Sequence, residues 1–383
     1  MKTLLALCAL AALMLASSPA PAQNNSSGAA KSGVTEGFEE LVAKAEVARK
    51  DDLADEAIRL YRETVRLRPG YVEGWWYLGT LNYEMDRYDD GTDAFAHVAG
   101  LKPDMALAWA MWGLCEFETK NYRSALVHLE RADQVGIPNQ ESFREVARYH
   151  LALLLTRTGR FEDAMRVMAE FSLHGRQTPD FDEAMGLAAM RKPLLPIELA
   201  PSQREMVLDV GHSMNDMAAR RQSDVRQDIT RLLAKYPDTP HIHFLVGTLE
   251  LTNDSDKALE QWKAELKVSP DHPQALVSIA AEYLRRADYK AAQPYAEKAV
   301  EVDPQSFEAH AILGQLLSEG NLDIPRAIHE LEGAASLAPR NPKVRYALAS
   351  AYAKAGRKQD AEKERAEFMK LRGQGAVTAP KSE

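Results

Sequence analysis

The apolar residues of this chain recur with the spacing of amphipathic helices along most of its length, and strand-like alternation is almost absent. The pattern also repeats, because a shift of 34 residues places Trp75 on Trp109 and Gly79 on Gly113. A fixed period of this length is typical of stacked helix pairs, since one pair cannot bury its own apolar faces. The pattern therefore predicts an all-α fold built from a repeated pair of helices.

The repeating positions carry a motif. In the clearest unit they are Trp75, Leu78, Gly79, Phe95 and Pro103. These residues resemble the tetratricopeptide repeat, with its W-x2-L-G-x2-Y…A-x3-F…P pattern, although Asn82 replaces the Tyr and Gly91 replaces the Ala. Seven further units keep the same phase: Ala57 and Tyr61; Trp109 and Gly113; Leu151 and Ala164; Gly247 and Ala258; Ala280 and Ala292; Gly314 and Ala327; Leu348 and Ala361. The resemblance implies a right-handed α-solenoid of stacked helix-turn-helix repeats.

The regular phase fails after residue 171, where a proline-containing segment interrupts the array. The stretch from Pro193 to Pro201 cannot form a continuous helix, because an internal proline removes a hydrogen bond and clashes with the preceding turn. We therefore predict six segments: a signal peptide at 1–22, a flexible tether at 23–37, an N-terminal array at 38–171, an irregular hinge or insert at 172–201, a C-terminal array at 202–372 and a disordered tail at 373–383.

The first 22 residues have the pattern of a cleaved secretory signal. Lys2 precedes an apolar run from Leu4 to Ala16, and Ala20-Pro21-Ala22 precedes Gln23. The run is too short to span a bilayer, so we expect an exported protein without a membrane span, periplasmic or extracellular, most plausibly bacterial. The formal charge of −9 includes no dense basic block, which argues against nucleic-acid binding. Cys115 is then the only cysteine left, and no internal disulfide is expected.

Motifs for catalysis or cofactor binding are lacking. The chain has no phosphate-binding glycine loop, no His-Glu-x-x-His and no Cys-x-x-Cys, and we predict no cofactor. Asp209, His212 and Asp216 share one helix face and could hold a divalent ion, but a polar outer face is the commoner explanation, and we assign no metal. His241 and His243 are two residues apart, which places them on nearly opposite sides of a helix.

The resemblance also implies a binding groove, which the second, fifth, ninth and twelfth positions of each first helix line. The groove residues that we predict are Trp76, Thr80, Tyr83, Leu107, Leu114, Phe117, Val146 and Tyr149. Trp75 is expected in the buried seam and Trp76 on the open wall. The family's carboxylate clamp is missing, because none of these positions is basic. The equivalent C-terminal positions are more polar and offer fewer aromatic anchors; they are Gln274, Val277, Ala281, Leu284, Glu308, Ala311, Gln315, Ser318, Lys343, Tyr346, Ser350 and Ala353.

These patterns favour a non-catalytic, exported adaptor that binds protein or peptide segments in its concave groove, since exposed aromatic side chains dominate binding hot spots. The alternative is an envelope hydrolase or carbohydrate-processing protein that uses the solenoid as a scaffold. Its chemistry would lie in the irregular segment, where Glu183 and Glu198 are the candidate acids. A carboxylate pair facing a pocket would favour the enzyme.

Overall fold

The computed structural model describes residues 30–137 and 141–377, apart from the side chains of 30–36, 141–142, 222 and 374–377. The predicted signal peptide and residues 23–29 of the predicted tether lie outside these ranges. Within them the chain forms α-helices and one short 3-10 helix, and no strand. The chain divides into two compact units, one ending at Arg221 and the other beginning at Gln222.

The first unit consists of five helix pairs. Its helices are α1 (Ala30–Lys50), α2 (Ala54–Leu67), α3 (Val72–Glu84), α4 (Tyr88–Leu101), α5 (Ala106–Glu118), α6 (Tyr122–Val135), α7 (Glu141–Arg157), α8 (Phe161–Leu173), α9 (Pro179–Ala189) and α10 (Pro201–Ala218), with the 3-10 helix Pro196–Glu198 between the last two. Successive helices pack against each other throughout.

The second unit begins with a single helix and continues with four pairs. Its helices are α11 (Gln222–Lys235), α12 (Ile242–Glu250), α13 (Ser255–Val268), α14 (Pro273–Arg285), α15 (Tyr289–Val302), α16 (Phe307–Glu319), α17 (Ile324–Leu337), α18 (Pro342–Lys354) and α19 (Lys358–Val377). All eight repeats predicted from the sequence correspond to helix pairs, so the predicted all-α solenoid class is confirmed.

A recurring hydrogen bond fixes the turn between repeats. A side-chain N–H group in the first turn of a repeat's first helix donates a hydrogen bond to a proline carbonyl. This proline lies six residues earlier and ends the preceding repeat. The pairs are Trp75 with Pro69 (2.8 Å), Trp109 with Pro103 (3.0 Å), His243 with Pro237 (2.8 Å), His310 with Pro304 (3.1 Å) and Arg345 with Pro339 (3.1 Å). Indole, imidazole and guanidinium groups all supply such a donor. This shared role explains why Trp, His and Arg replace one another at this position.

The predicted irregular hinge contains α9, the first helix of a ninth pair whose second helix is α10. Residues 179–189 form α9, which begins at Pro179, and Thr178 caps it by accepting a hydrogen bond from the Phe181 N–H (3.3 Å). Proline is favoured at the first position of a helix, where its missing N–H leaves no partner unsatisfied. The prediction of an irregular segment over all of 172–201 is therefore wrong, and the compact units divide at residues 221 and 222 instead.

Two glycines allow α9 and α10 to touch through their backbones. A Cβ atom on Gly211 would lie 1.7 Å from the carbonyl oxygen of Asp182, and one on Gly186 would lie 1.9 Å from that of Val207. Contacts this short are impossible for any other residue. The close packing of α9 on α10 thus requires glycine on both helices. The 34-residue period does not predict this helix pair.

Both predicted terminal segments are partly helical. Residues 30–37, assigned to the flexible tether, belong to α1, and residues 373–377, assigned to the tail, belong to α19. Phe38 is buried, so α1 is anchored to the array directly after the predicted tether. The remaining residues of the predicted tail, 378–383, lie outside the described ranges.

Candidate protein-binding surfaces

The two neighbouring tryptophans have the opposite arrangement to the predicted one. Trp76 is only 2% exposed, and its ring meets Phe95 edge to face at 5.4 Å. The prediction that Trp76 lies on an open wall is therefore wrong. The cause is Gly79, where a Cβ atom would lie 2.8 Å from the Phe95 ring. The absence of a side chain lets α4 approach α3 closely and brings Phe95 against Trp76.

Trp75 is only half-buried. Its ring stacks on His97 with 4.0 Å between the ring centres, and its Nε1 donates the hydrogen bond to Pro69. The side chain thus packs against the core from its edge and also stabilises the turn between repeats. The proline carbonyl satisfies the indole N–H of Trp75 at this partly exposed position.

Three other predicted groove residues are also buried. Thr80, Leu107 and Leu114 are 4%, 5% and 1% exposed. Thr80 donates a hydrogen bond to the Tyr77 carbonyl (3.1 Å), so its hydroxyl is satisfied within its own helix. The two leucines lie on α5, which packs against α7 as well as against its own partner helix. Their predicted place on an open groove wall is therefore wrong.

The remaining four predicted residues, Tyr83, Phe117, Val146 and Tyr149, keep part of their surface exposed. Three of them belong to a set of aromatic contacts that we call the N-terminal aromatic row. Its contacts are Tyr83 with Tyr88 (5.4 Å), Phe117 with Tyr122 (5.4 Å), Phe117 with His150 (4.6 Å) and Tyr149 with Phe181 (5.8 Å). Tyr88 and Tyr122 were missed from the sequence, although they are 34 residues apart.

Burial shifts the pKa values of titratable groups in and beside the N-terminal aromatic row. It raises the pKa of Tyr149, an effect that Asp180 and Glu183 increase, and it lowers the pKa of His150. Burial, assisted by the charge of Asp86, likewise raises the pKa of the neighbouring Glu118. Desolvation disfavours the charged form of each group. Charged groups also border the row, since the Arg157 guanidinium lies 4.9 Å from the centre of the Tyr122 ring.

An open groove lies in the second unit, between α16, α18 and α19. It encloses about 440 Å³, and Tyr346 on its wall is 62% exposed. The side chains that line it are Gln315, Ser318, Glu319, Lys343, Tyr346, Ala347, Ser350 and Phe368. We call this the C-terminal groove. Five of these residues occupy the groove positions that the repeat register predicts, and Phe368, from the last helix, was not predicted.

The walls of the C-terminal groove are held in place by polar contacts. Gln315 donates a hydrogen bond to Glu319 (2.6 Å), and the Lys354 ammonium donates to the Ser318 carbonyl (2.6 Å), which links α18 to α16. The Tyr346 and Phe368 rings lie 5.5 Å apart. The groove thus offers an aromatic surface beside amide, hydroxyl and ammonium groups. This combination suits a peptide, whose backbone needs hydrogen-bond partners and whose side chains need an apolar contact.

The acids named for the alternative enzymatic function are both engaged by arginines. Arg204 binds Glu183 through two hydrogen bonds, at 2.8 and 3.1 Å. Glu198 is paired with Arg157, and it also accepts a hydrogen bond from the Leu195 backbone (2.8 Å). Each carboxylate therefore has a structural role in the segment between α8 and α10.

The residues considered as metal ligands are also engaged by other side chains. His212 lies 3.7 Å from Asp216 through Nε2 and 3.2 Å from Asp182 through Nδ1. Arg221 pairs with Asp216 at 2.7 Å, so a cation already neutralises this carboxylate. His241 contacts His272 (2.6 Å between ring nitrogens) instead of joining His243.

Comparison with known proteins agrees with the repeat architecture. A family model described as tetratricopeptide repeat matches residues 277–323 and 320–366, which include every residue that lines the C-terminal groove except Phe368. Residues 277–366 therefore contain tetratricopeptide repeats, and repeats of this class are protein-interaction scaffolds. Among the helices of the described residues, none is long and apolar enough to cross a membrane.

Individual relatives match only part of the chain. A probable biofilm formation methyltransferase, WspC, of Pseudomonas putida is 29% identical over 89 residues, which are 23% of this chain and 21% of that protein. The chain thus spans about a fifth of that relative's length. A solved chain of MamA from Desulfovibrio magneticus RS-1, which runs from its residue 41 to its end, is 20% identical, with a TM-score of 0.39 over 44% of this chain and 94% of that chain. An RS-1 MamA double mutant gives a TM-score of 0.40 over the same shares, also at 20% identity.

Proposed function

We propose that this protein is an exported, non-catalytic adaptor whose C-terminal groove binds an extended or helical segment of another protein. The observation that carries the proposal is Tyr346, a large aromatic side chain that is 62% exposed on the wall of a 440 Å³ groove. Tyrosine is enriched at binding hot spots, where its ring fills an apolar contact and its hydroxyl meets a polar one.

The N-terminal aromatic row would act as a second contact surface. Tyr83, Phe117, Val146 and Tyr149 remain partly exposed on the first unit, and aromatic neighbours hold three of them in position. Rigid aromatic groups lose little conformational entropy on binding. Because four of the eight predicted groove residues are buried, this surface contains fewer accessible side chains than the sequence predicted.

A non-catalytic role is supported by the state of the candidate acids. A general acid or base must reach its substrate with a free oxygen. Glu183 is 6% exposed and held by two hydrogen bonds from Arg204, and Glu198 is held by Arg157 and a backbone N–H. These contacts favour the adaptor over the envelope hydrolase.

The groove proposal can be tested with a displayed peptide library selected against residues 23–383. Peptides that bind the C-terminal groove should lose at least tenfold in affinity for the Tyr346→Ala variant, which removes the exposed ring. Met369→Ala is a matched control, since Met369 is 65% exposed in the same unit but does not line the groove. It should change affinity less than twofold. Selected peptides that bind both variants as well as the parent would refute the groove.

Export is supported by Lys2, the apolar run from Leu4 to Ala16 and the Ala20-Pro21-Ala22 site. We expect the mature chain to begin at Gln23. N-terminal sequencing of the protein from the extracytoplasmic fraction of a bacterial host measures this directly. Protein that keeps Met1 and remains in the cytosolic fraction would contradict export while leaving the groove proposal intact.

A further inference from the structure

Two buried histidines join the first helices of neighbouring repeats in the second unit. His241 directly precedes α12 and His272 directly precedes α14, and they are 9% and 8% exposed. Nδ1 of His241 lies 2.6 Å from Nε2 of His272, and the centre of the Phe244 ring lies 5.0 Å from the centres of both imidazole rings. Neither histidine lines the C-terminal groove.

The hydrogen bonds of this pair fix the positions of its protons. His272 caps α14, because its Nδ1 accepts a hydrogen bond from the Ala275 backbone N–H at 3.1 Å. A neutral imidazole has one donor and one acceptor nitrogen, so the proton of His272 is on Nε2. This N–H donates to Nδ1 of His241, which is therefore the acceptor nitrogen of that ring. Both rings are neutral in this arrangement.

An additional proton does not fit these hydrogen bonds. On Nδ1 of His241 it would face the N–H of His272. If His272 moved its own proton to Nδ1 in order to accept, that proton would face the Ala275 N–H, and the cap of α14 would be lost. A proton added directly to Nδ1 of His272 has the same effect. Every protonated form of the pair therefore breaks at least one of these two hydrogen bonds.

A carboxylate from α13 lies beside the pair. Glu265 is 0% exposed, and its two oxygens accept hydrogen bonds from the backbone N–H groups of His241 (2.8 Å) and Phe244 (3.2 Å). Its negative charge attracts a proton to His241, but that proton still meets the N–H of His272, so the conflict remains. Titratable groups on α12 and on the helices packed around the pair have partners of their own: His243 with Gln261 (2.7 Å), Asp228 with Arg231 (2.6 Å), Lys298 with Asp271 (3.2 Å), Glu308 with Ser306 (3.3 Å) and His310 with Glu330 (2.6 Å).

We propose that His241 and His272 form a pH-sensitive contact that holds the start of α14 against α12 near neutral pH and releases it in acid. A solvated imidazole takes up a proton near pH 6.5, and the closed pair opposes this uptake. The opened segment therefore binds more protons below pH 6.5, and the stability of the closed form falls as the pH drops through that value. For one imidazole that is protonated only in the open form, opening becomes about tenfold more favourable between pH 7.5 and 5.5.

Hydrogen–deuterium exchange of residues 23–383, measured by mass spectrometry at pH 7.5 and 5.5, tests the proposal. After correction for the intrinsic exchange rate at each pH, the protection of residues 241–250 and 272–280 should fall at least about tenfold at pH 5.5. The helix α18 lies in the same unit and should keep its protection. Equal protection of the two segments at both pH values would overturn the proposal, as would an equal fall in α18.

His272→Asn separates the pair from other effects of acid. Asparagine is a good helix cap and does not titrate in this range, so the start of α14 should lose less than twofold in protection between pH 7.5 and 5.5. His329→Asn is the matched control, since His329 is exposed on α17 of the same unit, and this variant should keep the tenfold fall. A fall in His272→Asn as large as in the parent would overturn the assignment.

A measurement on the parent protein tests the proton positions without any substitution. Long-range ¹H–¹⁵N spectra of histidine-labelled protein at pH 7.5 distinguish the two neutral forms of each ring from the charged form. We expect His241 and His272 to be neutral, each with its proton on Nε2. A charged ring, or a proton on Nδ1 of either residue, would overturn the proposal.

Discussion

The reversed roles of Trp75 and Trp76 lead to a quantitative prediction. Trp76 is 2% exposed and packs against Phe95, so Trp76→Ala removes a large side chain from a closed environment. A buried aromatic side chain removes roughly 200 Å² from water, which at about 25 cal/mol per Å² corresponds to about 5 kcal/mol. Since the unfolded chain already buries some of this surface, we expect a loss of about 3–5 kcal/mol in the free energy of unfolding of the first unit.

Trp75→Phe has a much smaller expected effect. Phenylalanine keeps an aromatic ring to stack on His97 but lacks the N–H that bonds to the Pro69 carbonyl at 2.8 Å. The net value of one such hydrogen bond is about 1 kcal/mol. Because the side chain is only half-buried, we expect a loss close to that figure. Adjacent tryptophans should therefore differ several-fold in their contribution to stability.

Urea denaturation followed by circular dichroism measures both effects. Trp262 is 3% exposed in the second unit, so Trp262→Ala is a matched control that should shift the unfolding of that unit instead. Comparing the three variants assigns each transition to its unit. A loss below about 1 kcal/mol for Trp76→Ala, or equal losses for Trp76→Ala and Trp75→Phe, would refute the packing argument.

Two further predictions concern charge and backbone packing. Hydrogen bonds from Arg285, and then from Arg286, lower the pKa of Glu282 to about 2. The ionised carboxylate therefore stabilises the second unit fully at pH values above about 4.5, the usual pKa of a Glu side chain. This stabilisation is lost as the pH falls toward 2. Glu282→Gln should flatten this acid-side fall in melting temperature, and a variant that loses stability as steeply as the parent would contradict the assignment. Gly211→Ala should destabilise the first unit by at least about 3 kcal/mol, because its Cβ would meet the Asp182 carbonyl at 1.7 Å; an unchanged urea midpoint would show that α9 and α10 can separate at little cost.

Some features of the fold follow from local sequence. The 34-residue period, the small residues at Gly79, Gly113 and Gly314, and the prolines between repeats predicted all eight helix pairs, because helix formation and helix ends depend on neighbouring residues. The ninth pair was missed for a physical reason. Pro179 begins a helix instead of ending one, and the backbone contact at Gly186 and Gly211 joins residues distant in sequence.

The position of the open surface was decided by tertiary packing. The repeat register predicts which positions face the groove in both units. It does not predict which of these positions are covered by other helices. In the first unit those positions carry Trp76, Leu107 and Leu114, whose large apolar side chains gain stability by packing against neighbouring helices and so close the wall that they were expected to line. In the second unit they carry small and polar residues such as Ser318 and Ser350, which cannot fill the space between α16 and α18, and the groove beside Tyr346 remains open.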